Sequence, residues 1–166
     1  MPPPPLITHL PDIHPKLYLG SRRAVDYIQT EFPHIEASMC VASNGTCDYT
    51  RECQEKGLQK CESVHARDQT TSDPNTILAF TTDAANQIND LLDVQKKNVL
   101  VHCRAGRNRS VASIVRYAML FQQMKGQETI NYIREQNFKQ RKMPHNKTLS
   151  NQTFEIVLLN SGKGIH

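Results

Sequence analysis

From residue 77 onward the apolar positions of the chain keep a helical rhythm. Ile77, Phe80, Ala84, Ile88 and Leu91 recur every three or four residues and share one face of a helix of about four turns. Asp73-Pro74 predicts its start, because Asp caps a helix well and Pro is tolerated at the first helical position, where its missing N–H has no acceptor anyway. Lys96-Lys97-Asn98 makes a turn, and Val99-Leu100-Val101 is a wholly apolar run suited to a strand buried on both faces. The helical spacing returns from Ser110 through Val111, Ile114, Val115, Ala118 and Met119, with Gly126 expected to close that helix. Two more amphipathic helices are predicted over 128–138 and 151–159, the second capped by Ser150.

Upstream the elements are shorter. Leu17-Tyr18-Leu19-Gly20 predicts a strand running into a turn, with Ser21 capping a brief helix over 22–29. Strands are predicted at Ala37–Ala42 and over 61–66, separated by a polar loop containing Asn44-Gly45 and a helix over 49–56 stopped by Gly57. Residues 1–8 hold four consecutive prolines, which fix φ and cannot donate to a ladder, so they are expected to form a tail outside the core. The folded domain is then 9–166. Strands interleaved with helices indicate an α/β class.

Composition narrows this picture. A length of 166 residues suits one domain, and no apolar run approaches the roughly 20 residues that span a bilayer. The Met-Pro-Pro-Pro-Pro opening has neither the basic start nor the apolar stretch of a secretory signal, so an intracellular protein, cytoplasmic or nuclear, is expected, without membrane association. The five cysteines, at positions 40, 47, 53, 61 and 103, are odd in number and contain no Cys-x-x-Cys pair. Reduced thiols are therefore expected, with neither a disulfide framework nor a zinc site. The formal charge of +4 favours acidic or phosphorylated partners but is too small to indicate nucleic acid.

The chemistry concentrates in His102-Cys103-Arg104-Ala105-Gly106-Arg107-Asn108-Arg109-Ser110, between the buried strand and the long helix. A strand, a tight loop and a helix N-terminus form an anion cradle, because the unpaired first-turn amides and the helix dipole converge on the loop. Cys103 opens the loop, where those dipoles favour a thiolate and hence a nucleophile. Arg109 closes it with a planar fork able to hold two phosphate oxygens. Gly106 allows a sharp turn without a Cβ colliding with the ligand. Ser110 is placed to donate to the thiolate, and His102 to order the loop from beneath. Taken singly, a Cys after an apolar strand is an ordinary core residue and an Arg at a helix start a solvated charge. Their spacing around Gly106 favours catalysis. Cys40, Cys47, Cys53 and Cys61 have no such setting and are read as core or incidental.

His102-Cys103, five residues and Arg109-Ser110 match the H-C-x5-R-S/T signature of the protein tyrosine phosphatase superfamily, and the stretch from Val99 to Gly106 resembles its dual-specificity branch. The run from Ile13 to Ser21 is similar to the opening strand of those enzymes. Pro144-His145-Asn146 followed by Asn151-Gln152 resembles the segment before their last helix, which implies a supporting role for Asn146. The resemblance implies a single domain with a mixed, mostly parallel central sheet flanked by helices, the phosphate-binding loop lying between a central strand and a helix N-terminus. It also implies phosphorylated protein substrates, a cysteinyl-phosphate intermediate, an aspartic general acid and no metal or cofactor. Asp68, after the strand ending Val64-His65-Ala66, and Asp73 are the two candidates for the acid; Asp68 is preferred because Asp73 already has work as a cap.

Asn108 departs from the commoner Ser of the branch. Gly106-Arg107-Asn108-Arg109 resembles the members that remove the γ-phosphate from RNA 5′ ends. A cysteine-dependent RNA 5′-triphosphatase is thus an alternative, with Lys139, Arg141, Lys142 and Lys147 as a basic group. A non-catalytic phosphate-binding module is another, disfavoured because Cys103 adds nothing to simple anion binding. The short chain predicts a shallow cleft that accepts phosphothreonine as well as phosphotyrosine. Nothing in the sequence speaks to oligomeric state.

Overall fold

The computed structural model describes residues 6–42, 53, 55–69 and 73–162. Five strands, β1 (Ile7–His9), β2 (Leu17–Ser21), β3 (Ala37–Ala42), β4 (Lys60–His65) and β5 (Val99–Cys103), form one sheet in the order β1-β2-β5-β3-β4. Only β1 runs antiparallel, against β2; the β2–β5, β3–β5 and β3–β4 pairs are parallel. β5 is central and buried at all five positions, which is why its sequence is an unbroken apolar run up to His102. Alternation along the strands sorts the two faces. Leu17, Leu19, Val99 and Val101 join the large core under the main helices, whereas Tyr18 and Leu100 face a smaller cluster with Ala24, Val25 and Ile28.

The large core is covered by α2 (Pro74–Asn89), α3 (Arg109–Phe121), α4 (Gly126–Arg141) and α5 (Gln152–Ser161). The smaller face is covered by α1 (Ile28–Glu31) and the 3-10 segment before it. Asp73 caps α2 as expected, its carboxylate accepting from Asn75 N at 3.2 Å, with Pro74 in the first turn. The helix continues through a π-helical turn, Asp90–Val94, that buries both Leu91 and Leu92.

Several expectations fail for local reasons. Ser21 belongs to β2 and makes no side-chain cap bond; the following segment is a 3-10 helix, Arg22–Tyr27, that passes into α1. Gly126 opens α4 instead of closing α3, which ends at Phe121. The stop lies at Gln123, in the left-handed region at φ 56°, with Met124 N bonding back to Ala118 O at 3.1 Å. Gly126 serves close packing: a Cβ there would stand 3.2 Å from Met119 Sδ. Asn151, not Ser150, caps α5, through Phe154 N at 3.2 Å.

The N-terminal boundary also moves. Ile7 and Thr8, assigned to the tail, are buried in β1, and Thr8 Oγ1 donates to Asn137 Oδ1 of α4 at 2.7 Å. Cys53 and Cys61 are joined as a disulfide, contrary to the expectation of reduced thiols: the turn around Gly57, at φ 69°, brings their Cα atoms to 5.9 Å. An odd count of cysteines carries no information on which two meet in space. Asn44-Gly45 and most of the helix expected over 49–56 lie outside the described residues.

Candidate active site

Cys103 ends β5 at the C-terminal edge of the parallel strands, paired in register with Ser21 of β2, and is only 2% exposed. Its Sγ lies 3.1 Å from Ser110 Oγ on the first turn of α3. The loop from 104 to 108 doubles back over the end of β2. Gly106 sits at φ 67°, and a Cβ there would come within 2.6 Å of Gly20 O, so the loop closes only with glycine at this point.

The loop is held from outside by its carbonyls. Arg104 O accepts from Arg22 N at 3.1 Å and Arg107 O from Leu149 N at 2.7 Å. The Arg141 guanidinium donates to Ala105 O at 3.3 Å and to Gly106 O at 3.4 Å. In a trans peptide the N–H points away from the C=O, so drawing these four carbonyls outward turns the amides of residues 105–108 inward, toward the ligand position.

Arg109 is buried at the start of α3, with Nη1 donating to Ala66 O at 3.2 Å after β4. Its Nε is buried and has no acceptor among the described residues. Asp68 follows the same strand end. Its Oδ2 accepts from Asn108 Nδ2 and its Oδ1 from Asn151 Nδ2, both at 2.9 Å, and Asn108 Oδ1 accepts from Asn151 N at 2.9 Å. Asp68, Cys103, Arg109 and the loop line one cavity of about 280 Å³. Asp73 lines a different cavity, beside Thr76 and Phe80.

His102 lies fully buried under the loop. Burial pushes its imidazole down to about 4, with the charge of Arg22 acting the same way and a hydrogen bond to the Cys103 backbone opposing, so the ring is neutral at pH 7. Burial likewise lowers Arg141 to about 10, the Cys103 sulfur opposing and Arg107 assisting.

The basic group is partly engaged by local partners. Arg141 is committed to the loop, Lys139 pairs with Glu135 at 3.4 Å, and Lys142 caps α4 at φ 59°. Asn146, assigned a supporting role, is exposed on the turn His145–Lys147; Leu149, Ser150 and Asn151 make the contacts to the loop instead. The work of Arg141 and Asn151 was missed. Asn151 had a readable signal as a capping residue type, whereas nothing local marks Arg141 except its place in a last helical turn, where cations are common.

A mixed, mostly parallel sheet whose central strand carries a cysteine into a loop closed by an arginine, together with the family match, defines the class, the protein tyrosine phosphatase superfamily. The family model described as dual specificity phosphatase, catalytic domain, matches residues 17–155, and the chain belongs to that family. Solved structures agree on the fold. Human DUSP28 is similar over 99% of this chain and 97% of its own, with TM-score 0.66 and 18% identity. The PTP-2 phosphatase of Cydia pomonella is similar over 93% and 88%, with TM-score 0.67 and 17% identity. The human tyrosine phosphatase-like serine/threonine/tyrosine-interacting protein is similar over 90% and 92%, with TM-score 0.62 and 23% identity. Among the described residues no helix is long and apolar enough to cross a membrane.

Proposed function

We propose that the protein hydrolyses phosphotyrosine and phosphoserine or phosphothreonine esters of proteins through a cysteinyl-phosphate intermediate. The observation that carries this reading is the meeting of Asp68 with Cys103 and Arg109, from two separate stretches of chain, in one cavity. Cys103 Sγ attacks phosphorus, forming the S–P bond as the P–O bond to the substrate breaks. Asp68 gives its proton to the departing oxygen. The inward loop amides and the Arg109 fork hold the equatorial oxygens where charge accumulates. Water then attacks phosphorus, Asp68 takes its proton, and the S–P bond breaks. Ser110 Oγ, 3.1 Å from the sulfur, donates to the thiolate as it leaves.

Two of the five residues that motivate the RNA 5′-triphosphatase alternative have other partners. Asn108 ties Asp68 to Asn151, and Arg141 ties down the loop. A non-catalytic module leaves the Cys103–Ser110 pair without purpose.

Phosphotyrosine and phosphothreonine peptides should both release phosphate without added metal and with chelator present. Cys103→Ser should abolish turnover yet still bind vanadate, since the amide cradle is intact. Turnover within tenfold of wild type in that variant would end the covalent mechanism, and hydrolysis of triphosphate-ended RNA alone would establish the alternative.

A further inference from the structure

The segment between α4 and α5 holds a leucine in a conformation that suits glycine. Leu149 lies at φ 54°, in the left-handed region, while its side chain is buried in the large core. Arg134 of α4 restrains the backbone there. Its Nε donates to Thr148 O at 3.0 Å and its Nη2 to Leu149 O at 3.3 Å, and the remaining nitrogen, Nη1, pairs with Glu155 of α5 at 3.1 Å.

Thr148 O and the N–H of Leu149 are the two ends of one peptide group. In a trans peptide they point in opposite directions, so a donor that fixes the carbonyl also aims the amide. That amide donates to Arg107 O at 2.7 Å, the shortest of the four bonds that hold the outside of the phosphate loop. Arg107 O in turn shares its peptide with the N–H of Asn108, which the same geometry turns toward the ligand position. Arg134 is thereby joined to the anion site by two peptide groups in series, each accepting at its carbonyl and donating at its amide. Hydrogen bonds in such a chain polarise one another, so a cation on the first carbonyl makes the last N–H a stronger donor.

We propose that Arg134 is a positioning residue, which aims the Asn108 amide at the phosphate and strengthens it through the Thr148–Leu149 and Arg107–Asn108 peptides. The inference rests on the phosphate-binding reading of the loop. It gives two arginines of α4 parallel tasks: Arg141 backs the amides of Gly106 and Arg107 directly, and Arg134 backs that of Asn108 from one peptide further away. Arg134 is not among the residues that line the catalytic cavity, so it acts through the loop and not on the substrate.

The test reads anion binding apart from stability and from turnover. In Cys103→Ser protein the affinity for vanadate is measured by calorimetry, with a urea midpoint for each variant. Arg134→Gln should weaken binding about tenfold, less than the roughly hundredfold typical of removing an oxyanion donor outright. Glu155→Gln, which removes the ion pair and leaves the fork, should bind vanadate as tightly as the parent. Unchanged affinity in Arg134→Gln overturns the relay; an equal loss in Glu155→Gln also overturns it, tracing the effect to the packing of α4 on α5. If Arg134→Gln does not fold, NMR spectra of the Cys103→Ser protein decide. The Nε–H resonance of Arg134 should move downfield when vanadate is added, because polarisation runs both ways along the chain, and no movement overturns the proposal. Wild-type turnover of phosphopeptides is read separately: no phosphate release together with Arg134-dependent vanadate binding sinks the phosphatase reading and leaves the relay standing.

Discussion

Asp68 and Asp73 are five positions apart and do unrelated work. Asp73 accepts from the backbone of its own helix, a service Asn performs about as well, so Asp73→Asn should keep most activity. Asp68 is carried by β4 to the rim of the Cys103 cavity and held there by two side-chain amides, with both carboxylate oxygens engaged. Asp68→Asn should lower kcat on the order of a hundredfold for alkyl and tyrosyl phosphates, the usual scale of general acid catalysis. The loss should shrink for an activated aryl phosphate, whose leaving group needs little help from a proton. Leaving-group dependence in the Asp73 variant and not in the Asp68 variant would reverse the assignment.

At the level of elements, α4 does more than cover the sheet. Near its end Asn137 and Gln140 hold β1, through Thr8 Oγ1 and through His9 N and O at 2.8 Å each, and one residue later Arg141 grips the phosphate loop. The helix therefore locks the N-terminal strand and the catalytic loop to the same frame. Arg141→Lys keeps the charge but cannot span two neighbouring carbonyls, so the loop amides should lose their aim. We expect kcat/KM to fall about ten- to hundredfold, in line with small misplacements of reacting groups, and inhibition by inorganic phosphate to weaken with it. An unchanged urea midpoint with this loss would identify positioning as the cause; unchanged kinetics would show that the loop holds its shape without Arg141.

For the molecule as a whole, the burial of His102 links the active-site floor to stability. An unfolded histidine titrates near 6.5, whereas the folded one is held at about 4. As pH falls through this window the unfolded chain takes up a proton that the folded chain refuses, so stability drops between about 6.5 and 4. The size of the effect is about 3 kcal/mol, because each tenfold difference in proton affinity between the two states is worth about 1.4 kcal/mol. Urea unfolding at pH 7 and pH 4 should show this acid loss in wild type, and His102→Gln should reduce it by that amount. A variant with the same acid sensitivity as wild type would mean that other groups govern it.

The sequence by itself determined whatever is written in local periodicity or contiguous chemistry. The apolar runs placed β3, β5 and α2 correctly because strand and helix spacing need no partner to be read, and the phosphate loop is a continuous stretch whose residue types state their chemistry. Tertiary structure alone decided what depends on residues far apart in the chain. Thr8 is buried because α4 offers it an acceptor, Cys53 meets Cys61 through a turn, and Arg141 leaves a basic surface group to support the loop. Periodicity records which face a residue turns inward; it carries nothing about which residue it finds there.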